Sequence, residues 1–270
     1  MRKYFTILTV VFMITVFTIS SSWATQFPYR DEYPSVPVIE LEELKKHYDN
    51  GDVVIVDVRS DIEYKVIHPR DAIHIDISNR NFLSQLKELA NNNPDKKIVC
   101  YCNGVTCLKS YEAAKKANEA GLSNVYAFDA GIPAWARTYP KETLLLGKRI
   151  NNPEKQLISE KKFQERCLDF ASFQKKAKAS DAVVIDARST IQRTNDLPGL
   201  EGQKVLPMPC DKFINNIIKN DRMKDKTLLI YDQVGKQVEW LMYYLVDRGY
   251  TDYYFLSGGA NAVLEEQEYR

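Results

Sequence analysis

Short, unbroken apolar runs alternate along this chain with longer stretches whose apolar residues recur at helical spacing. Val53-Val54-Ile55-Val56 leads into Asp57-Val58-Arg59, and Lys97-Ile98-Val99-Cys100-Tyr101 and Val125-Tyr126-Ala127-Phe128 follow. Runs that are apolar at every position, rather than at alternate ones, mark strands covered on both faces of a parallel sheet. Between them the pattern predicts helices from Glu40, over 81–91 and over 110–120, the last capped by Gly121. Residues 25–37 carry prolines and aromatics and are expected to be extended. Strand and helix in alternation imply an α/β unit with a mostly parallel sheet.

The same order then returns. Val183-Val184-Ile185-Asp186-Ala187-Arg188-Ser189 echoes Val54-Ile55-Val56-Asp57-Val58-Arg59-Ser60, and Leu228-Leu229-Ile230-Tyr231-Asp232 echoes Ile98-Val99-Cys100-Tyr101-Cys102. Tyr254-Phe255-Leu256-Ser257-Gly258-Gly259 echoes Ala127-Phe128-Asp129-Ala130-Gly131. Three landmarks in one order, offset by about 130 residues, imply an internal duplication. The expected organisation is a leader over 1–24, a first domain over 36–140, a linker over 141–157 and a second domain over 158–270.

The leader has its own pattern. Arg2 and Lys3 precede an apolar run from Tyr4 to Ile19, and Ser22-Trp23-Ala24 places small residues at both positions that decide cleavage. This predicts a signal peptide removed after Ala24 and an exported, periplasmic product without stable membrane association. The alternative is a retained anchor, since the run is close to spanning length. No cysteine stands at the cleavage point, so a lipoprotein anchor is not expected.

Hydrophobic content of 44% with 27% charge is that of a globular chain, and 270 residues suffice for two domains. Loss of Arg2 and Lys3 with the leader would leave 35 basic residues (37 less these two) against 36 acidic ones. Such a chain has no electrostatic reason to bind nucleic acid or an anionic membrane. The five cysteines, Cys100, Cys102, Cys107, Cys167 and Cys210, all follow the leader. An odd count in an oxidising compartment leaves at least one thiol without an internal partner.

One of these thiols is placed for chemistry. Cys102 ends an apolar strand, and a loop carrying Gly104 leads from it into a helix. Backbone N–H groups and the helix dipole converge at such a point, lower a thiol's pKa and hold the reacting anion. Cys100, two residues back on a buried strand, reads as core. Cys107 has three readings: a thiol that resolves Cys102, the nucleophile itself, or a packing residue. No histidine lies near enough in sequence to complete a metal site.

Taken together these segments resemble the rhodanese (sulfurtransferase) family in its tandem-domain form. Asp57-Val58-Arg59-Ser60 followed by His68-Pro69-Arg70-Asp71-Ala72-Ile73 resembles the family's first signature. Val99-Cys100-Tyr101-Cys102 with its loop resembles the catalytic segment, and Asp129-Ala130-Gly131-Ile132-Pro133-Ala134-Trp135 resembles the closing glycine–tryptophan motif. The resemblance covers 36–270 and implies two rhodanese-like domains, each a mostly parallel sheet flanked by helices.

It also implies a mechanism. Cys102 would take a sulfane sulfur from thiosulfate, a polysulfide or a persulfide and pass it to a nucleophile such as cyanide, a thiol or a carrier protein. Asn103, Gly104, Val105, Thr106, Cys107 and Leu108 would form an amide-lined cradle around it. Arg59 would reach the cleft or form an ordinary surface ion pair, and Lys109 would meet an anionic donor or lie on a solvated helix face. No metal or organic cofactor is implied. Asp232 stands where the second half should carry the thiol, and a carboxylate cannot hold a sulfane sulfur, so that half reads as catalytically silent.

Three rival functions are carried beside this one. A thiol–disulfide oxidoreductase would cycle Cys102 and Cys107, although four residues separate them rather than the usual two. A cysteine phosphatase would want arginine where Leu108 stands. A binding module would use both domains for recognition alone.

Overall fold

The apolar runs form the inner strands of two parallel sheets in a computed structural model that describes residues 27–268. The signal-peptide segment and its cleavage point lie outside the described residues. The first half runs α1 (Leu41–Asn50), β1 (Val53–Asp57), α2 (Asp61–Val66), β2 (Ile67–Pro69), β3 (Ile73–His74), α3 (Phe82–Asn91), β4 (Lys97–Tyr101), α4 (Lys109–Glu119), β5 (Val125–Phe128) and α5 (Gly131–Thr138). Its sheet has the order β3-β1-β4-β5, all parallel, and Val38 adds a parallel bridge at Ala127.

The connecting segment carries β6 (Thr143–Leu145), β7 (Lys148–Arg149), α6 (Pro153–Gln156) and α7 (Glu160–Gln164). The second half continues with β8 (Cys167–Leu168), α8 (Phe170–Ala177), β9 (Ala182–Asp186), β10 (Val205–Pro207), α9 (Cys210–Asn216), β11 (Thr227–Tyr231), α10 (Gln237–Asp247), β12 (Tyr253–Leu256) and α11 (Gly259–Glu268). Its sheet, β10-β9-β11-β12-β8, is parallel throughout and repeats the order of the first. The fold is α/β, as the alternation of runs implies.

Helix α4 shows how the site is set against its sheet. Tyr111, Ala113, Ala114 and Ala117 are buried in one cluster with Val56, Ile98, Cys100 and Cys102. Three alanines on one face bring the helix backbone close to the strands, and the alanine-rich sequence is itself a strong helix former. Gly121, at φ +88°, stops the helix.

Two expected loops are structured. Residues 27–36 turn rather than extend: Tyr33 stacks on Tyr111, and Arg30 binds Asp129 in a two-pronged ion pair that also receives the Tyr111 hydroxyl. The expected linker is also built in. Strand β6 pairs antiparallel with β2, Ile150 is fully buried, and Ile158 N–H donates 3.0 Å to the Tyr243 hydroxyl on α10. Leu144, Leu145 and Ile150 are apolar enough to be held on the first half, which a solvated linker would not be.

Candidate active site

The loop between β4 and α4 carries the predicted thiol, and it is folded back on itself. Gly104 takes φ +106°, and the Cys107 N–H donates 2.9 Å to the Gly104 carbonyl, closing a tight turn. The turn after β5 buttresses it from behind. Ile132 N–H donates 3.0 Å to the Cys102 carbonyl, while Gly131 presents its bare Cα to the loop. A Cβ there would lie 2.4 Å from Gly104 N and 2.5 Å from Cys102 O. Val105 and Thr106 form the exposed tip, and Leu108 caps α4.

A buried polar chain holds the start of the loop. Arg59 is completely enclosed, with Nε and Nη2 on the Asp57 carboxylate, Nη2 also on the Ile67 carbonyl at 2.5 Å, and Nη1 on Asn103 Oδ1 at 3.0 Å. This corrects the expectation that Arg59 contacts substrate. Its donors are committed to the protein, and its guanidinium stacks between the Tyr101 and Trp240 rings at 5.3 and 5.4 Å. Trp240 comes from α10, so the second half closes over this arginine.

Glu63 takes the other side of Asn103, accepting from its amide nitrogen and from Ser60 N–H and Oγ at 2.9 and 2.5 Å. Burial pushes the Glu63 carboxyl up, but the Ser60 hydrogen bond, the Lys109 ammonium and Asn103 together hold it below its ordinary value. Lys109 Nζ sits 3.7 Å from Glu63 Oε2 and is half-exposed, so it stands at the rim of the loop and is paired there. Sequence reasoning missed Glu63. Its signal was available as the Ser60-x-x-Glu63 capping box opening α2.

The two loop thiols have opposite environments. Cys102 is 0% exposed; its Sγ donates 3.2 Å to the Cys107 carbonyl and lies 3.5 Å from Ser110 Oγ. Burial, and then the neighbouring Cys107, push this thiol well up. Cys107 is half-buried. The neighbouring Cys102 thiol, the N–H groups of Asn103 and Lys109 and the Lys109 charge bring it down to about 6 against the opposing effect of burial. Its place just before α4 adds the helix field.

The N–H groups of Asn103 and Lys109, with the Lys109 charge, favour charge on Cys107 rather than on Cys102. Alkylation by iodoacetamide, mapped by mass, is expected to reach Cys107 first. Its rate should rise with pH through a midpoint near about 6, because only the thiolate reacts. Lys109→Met should move that midpoint upward. Equal rates at both thiols, or an unmoved midpoint, would contradict the assignment.

The second half supplies the contrast. Asp232 occupies the matching place at 2% exposure, and its carboxylate accepts from the N–H groups of Val234, Gly235, Gln237 and Val238, at 3.1 Å for Val234, 2.5 Å for Gln237 and 3.3 Å for Val238. This cradle does form, around the chain's own anion. The difference follows from loop length: α10 begins five residues after Asp232, whereas α4 begins seven after Cys102. Asp232→Ala would leave buried amides unpaired and is expected to cost about 2 kcal/mol in thermal denaturation. An unchanged melting temperature would show that water replaces the carboxylate at no cost.

The supporting devices recur as well. Arg188 grips Asp186 through Nε and Nη2 at 2.9 and 2.8 Å, and Gly259 backs the Asp232 loop, where a Cβ would lie 2.6 Å from Gly235 N. A cavity of about 600 Å³ in this half, lined by Asp186, Arg193 and Glu201 among others, lies away from the Cys102 loop. Among the described residues, no group of histidine, cysteine and carboxylate side chains could hold a metal ion.

The α/β unit thus places a thiol at a strand end, a short loop from it into a helix and a glycine turn that backs the loop. Residues 40–138 match the family described as Rhodanese-like domain, and the chain carries such a domain over that span. A tRNA uridine(34) hydroxylase of Photorhabdus laumondii is 35% identical over 101 residues, covering 37% of this chain and 28% of that protein. An HTH-type transcriptional regulator of Mycobacterium tuberculosis is 36% identical over 97 residues, covering 36% of this chain and 40% of the regulator. Thus the chain spans well under half of either relative.

Among solved structures, a thiosulfate sulfurtransferase from Pseudomonas aeruginosa aligns over 89% of this chain and 46% of its own, with a TM-score of 0.37 and 19% identity. The human single-domain sulfurtransferase aligns over 38% of this chain and 96% of its own, with a TM-score of 0.33 and 19% identity.

Proposed function

We propose that the chain is a sulfurtransferase with one working site, in which Cys102 carries a sulfane sulfur as a persulfide. The observation that carries this reading is the pair of thiols at the strand end, the buried Cys102 with its Sγ 3.2 Å from the Cys107 carbonyl, and Cys107 held toward thiolate. As Cys102 attacks the outer sulfur of a donor, Cys107 is placed to accept its proton, which overcomes the reluctance of a buried thiol to ionise. With thiosulfate the sulfur–sulfur bond of the donor breaks and sulfite leaves with the electron pair.

Lys109 at the rim favours approach of a small anion, and the exposed Val105-Thr106 tip is the part of the loop that must yield to admit it. The acceptor is a nucleophile: cyanide, a thiol or a protein carrier. Asp232 leaves the second half without a sulfur-bearing residue, and its contribution is structural, through Trp240 packed on Arg59.

Incubation with thiosulfate or inorganic polysulfide, with sulfite as the thiosulfate product, tests this reading. Cys102→Ser is expected to abolish sulfite release and sulfur uptake by intact mass. Uptake retained in Cys102→Ser would move the carrier elsewhere, and absence of sulfite release by the wild-type protein with thiosulfate would remove the activity.

A further inference from the structure

We propose that the Cys102 persulfide is resolved from within the loop: Cys107 attacks Cys102 Sγ, closes a Cys102–Cys107 disulfide and expels the transferred sulfur as hydrosulfide. This rests on the reading of Cys102 as the sulfur carrier and gives the site a second activity, reduction of sulfane sulfur to sulfide.

Geometry carries the inference. The Gly104–Cys107 turn folds Cys107 back so that its carbonyl lies 3.2 Å from Cys102 Sγ. Cys102 is 0% exposed and enclosed by Val56, Tyr111 and Ala114 among others, so a bulky external acceptor meets walls before it meets sulfur. Cys107 is already inside them. An internal nucleophile on the residue whose carbonyl touches Cys102 Sγ acts at an effective concentration no dissolved thiol attains. Cys107 is also only half-buried, so the disulfide it forms can be reached for reduction.

The steps balance. In loading, the Cys102 thiol gives its proton to the Cys107 thiolate and attacks thiosulfate; sulfite leaves, and Cys102 is a persulfide anion beside a neutral Cys107. In resolution, the Cys107 sulfur bonds to Cys102 Sγ, the bond between Cys102 Sγ and the outer sulfur breaks, and hydrosulfide departs with the Cys107 proton. The sulfane sulfur is reduced and the two thiols are oxidised. A dithiol reductant, small or protein-borne, returns the pair to its starting state and is consumed once per turnover.

The test uses the reduced, desalted chain with thiosulfate, and separately with inorganic polysulfide, in the absence of reductant. Wild-type protein is expected to release one equivalent of sulfide and to end with the mass of a hydrogen pair lost, Cys102 and Cys107 joined in the peptide map. A thiosulfate-free control should stay reduced. Cys107→Ser, having lost the proton acceptor, should load more slowly than wild type, but the sulfur it takes up should stay on Cys102 with none released as sulfide; Cys107→Ala repeats the measurement with a different side chain. Adding a dithiol to the oxidised wild type should restore one further equivalent of sulfide release.

A wild-type persulfide that persists beside an alkylatable Cys107 would overturn the inference and leave sulfur transfer standing. The same disulfide in the thiosulfate-free control would also overturn it. No sulfite or sulfide release by wild type, together with no sulfur added to either Cys107 variant, would remove both readings together.

Discussion

Arg59→Met is expected to destabilise the protein by about 4 kcal/mol, because it strands a carboxylate that has no route to water. Asp57 and Arg59 are both 0% exposed, and Arg59 is the cation that pairs Asp57 among the described ion pairs. For a chain of this size the loss corresponds to a fall of about 10 °C in melting temperature, read by circular dichroism. The second half contains the control. Asp186 is paired with Arg188, but Arg193 Nε also reaches its carboxylate at 3.1 Å. Arg188→Met should therefore cost about half as much, since one cation remains. Removing both charges in Asp57→Leu with Arg59→Met should recover much of the loss, because an apolar pair needs no compensation. A double variant no more stable than Arg59→Met would show that the burden lies in packing rather than in the stranded charge.

Gly131→Ala is expected to lower sulfur transfer by about 100-fold while the chain stays folded. Alanine at φ +60° is strained by about 1–2 kcal/mol, and its methyl group would sit 2.4–2.7 Å from backbone atoms of Gly104 and Cys102. Backbone cannot swing aside as a side chain can, so the loop must shift, and displacements of ångström size at a reacting atom cost about that factor. Gly259→Ala places the same methyl group against Asp232 O and the N–H groups of Gly235 and Val234 in the second half. It should lower the melting temperature similarly and leave sulfur transfer unchanged. Equal loss of activity in both variants would mean that general destabilisation, not loop geometry, is being measured.

The sheets were legible in the sequence because strands buried on both faces announce themselves as apolar runs. The strands at 97–101 and 125–128 fall on the predicted residues. Strand β2 was not legible, being three residues ending in Pro69 whose partner lies beyond residue 140. Helix α2 spans six residues, too short for a periodic signal. The site was half-legible. Position marked Cys102, since a strand end before a glycine loop is a local pattern. The division of labour between Cys102 and Cys107 was not, because it depends on which sulfur the turn leaves near solvent and which amides it points inward. Arg59 was misplaced for a similar reason: its partners Ile67 and Asn103 come together only in the folded chain.

The carboxylate of Asp232 makes the second half a protein with its ligand permanently attached. A tethered anion saturates its site at every solution composition, so the free energy of filling that cradle is a constant part of that half's stability. On the proposed sulfurtransferase reading, the first half has no such resident, and a sulfur anion taken up by its loop would add to its stability only while present. One chain would thus join a unit whose stability is indifferent to the sulfur content of its surroundings to one that responds to it. Trp240, lying on Arg59, is where the indifferent unit meets the responsive one.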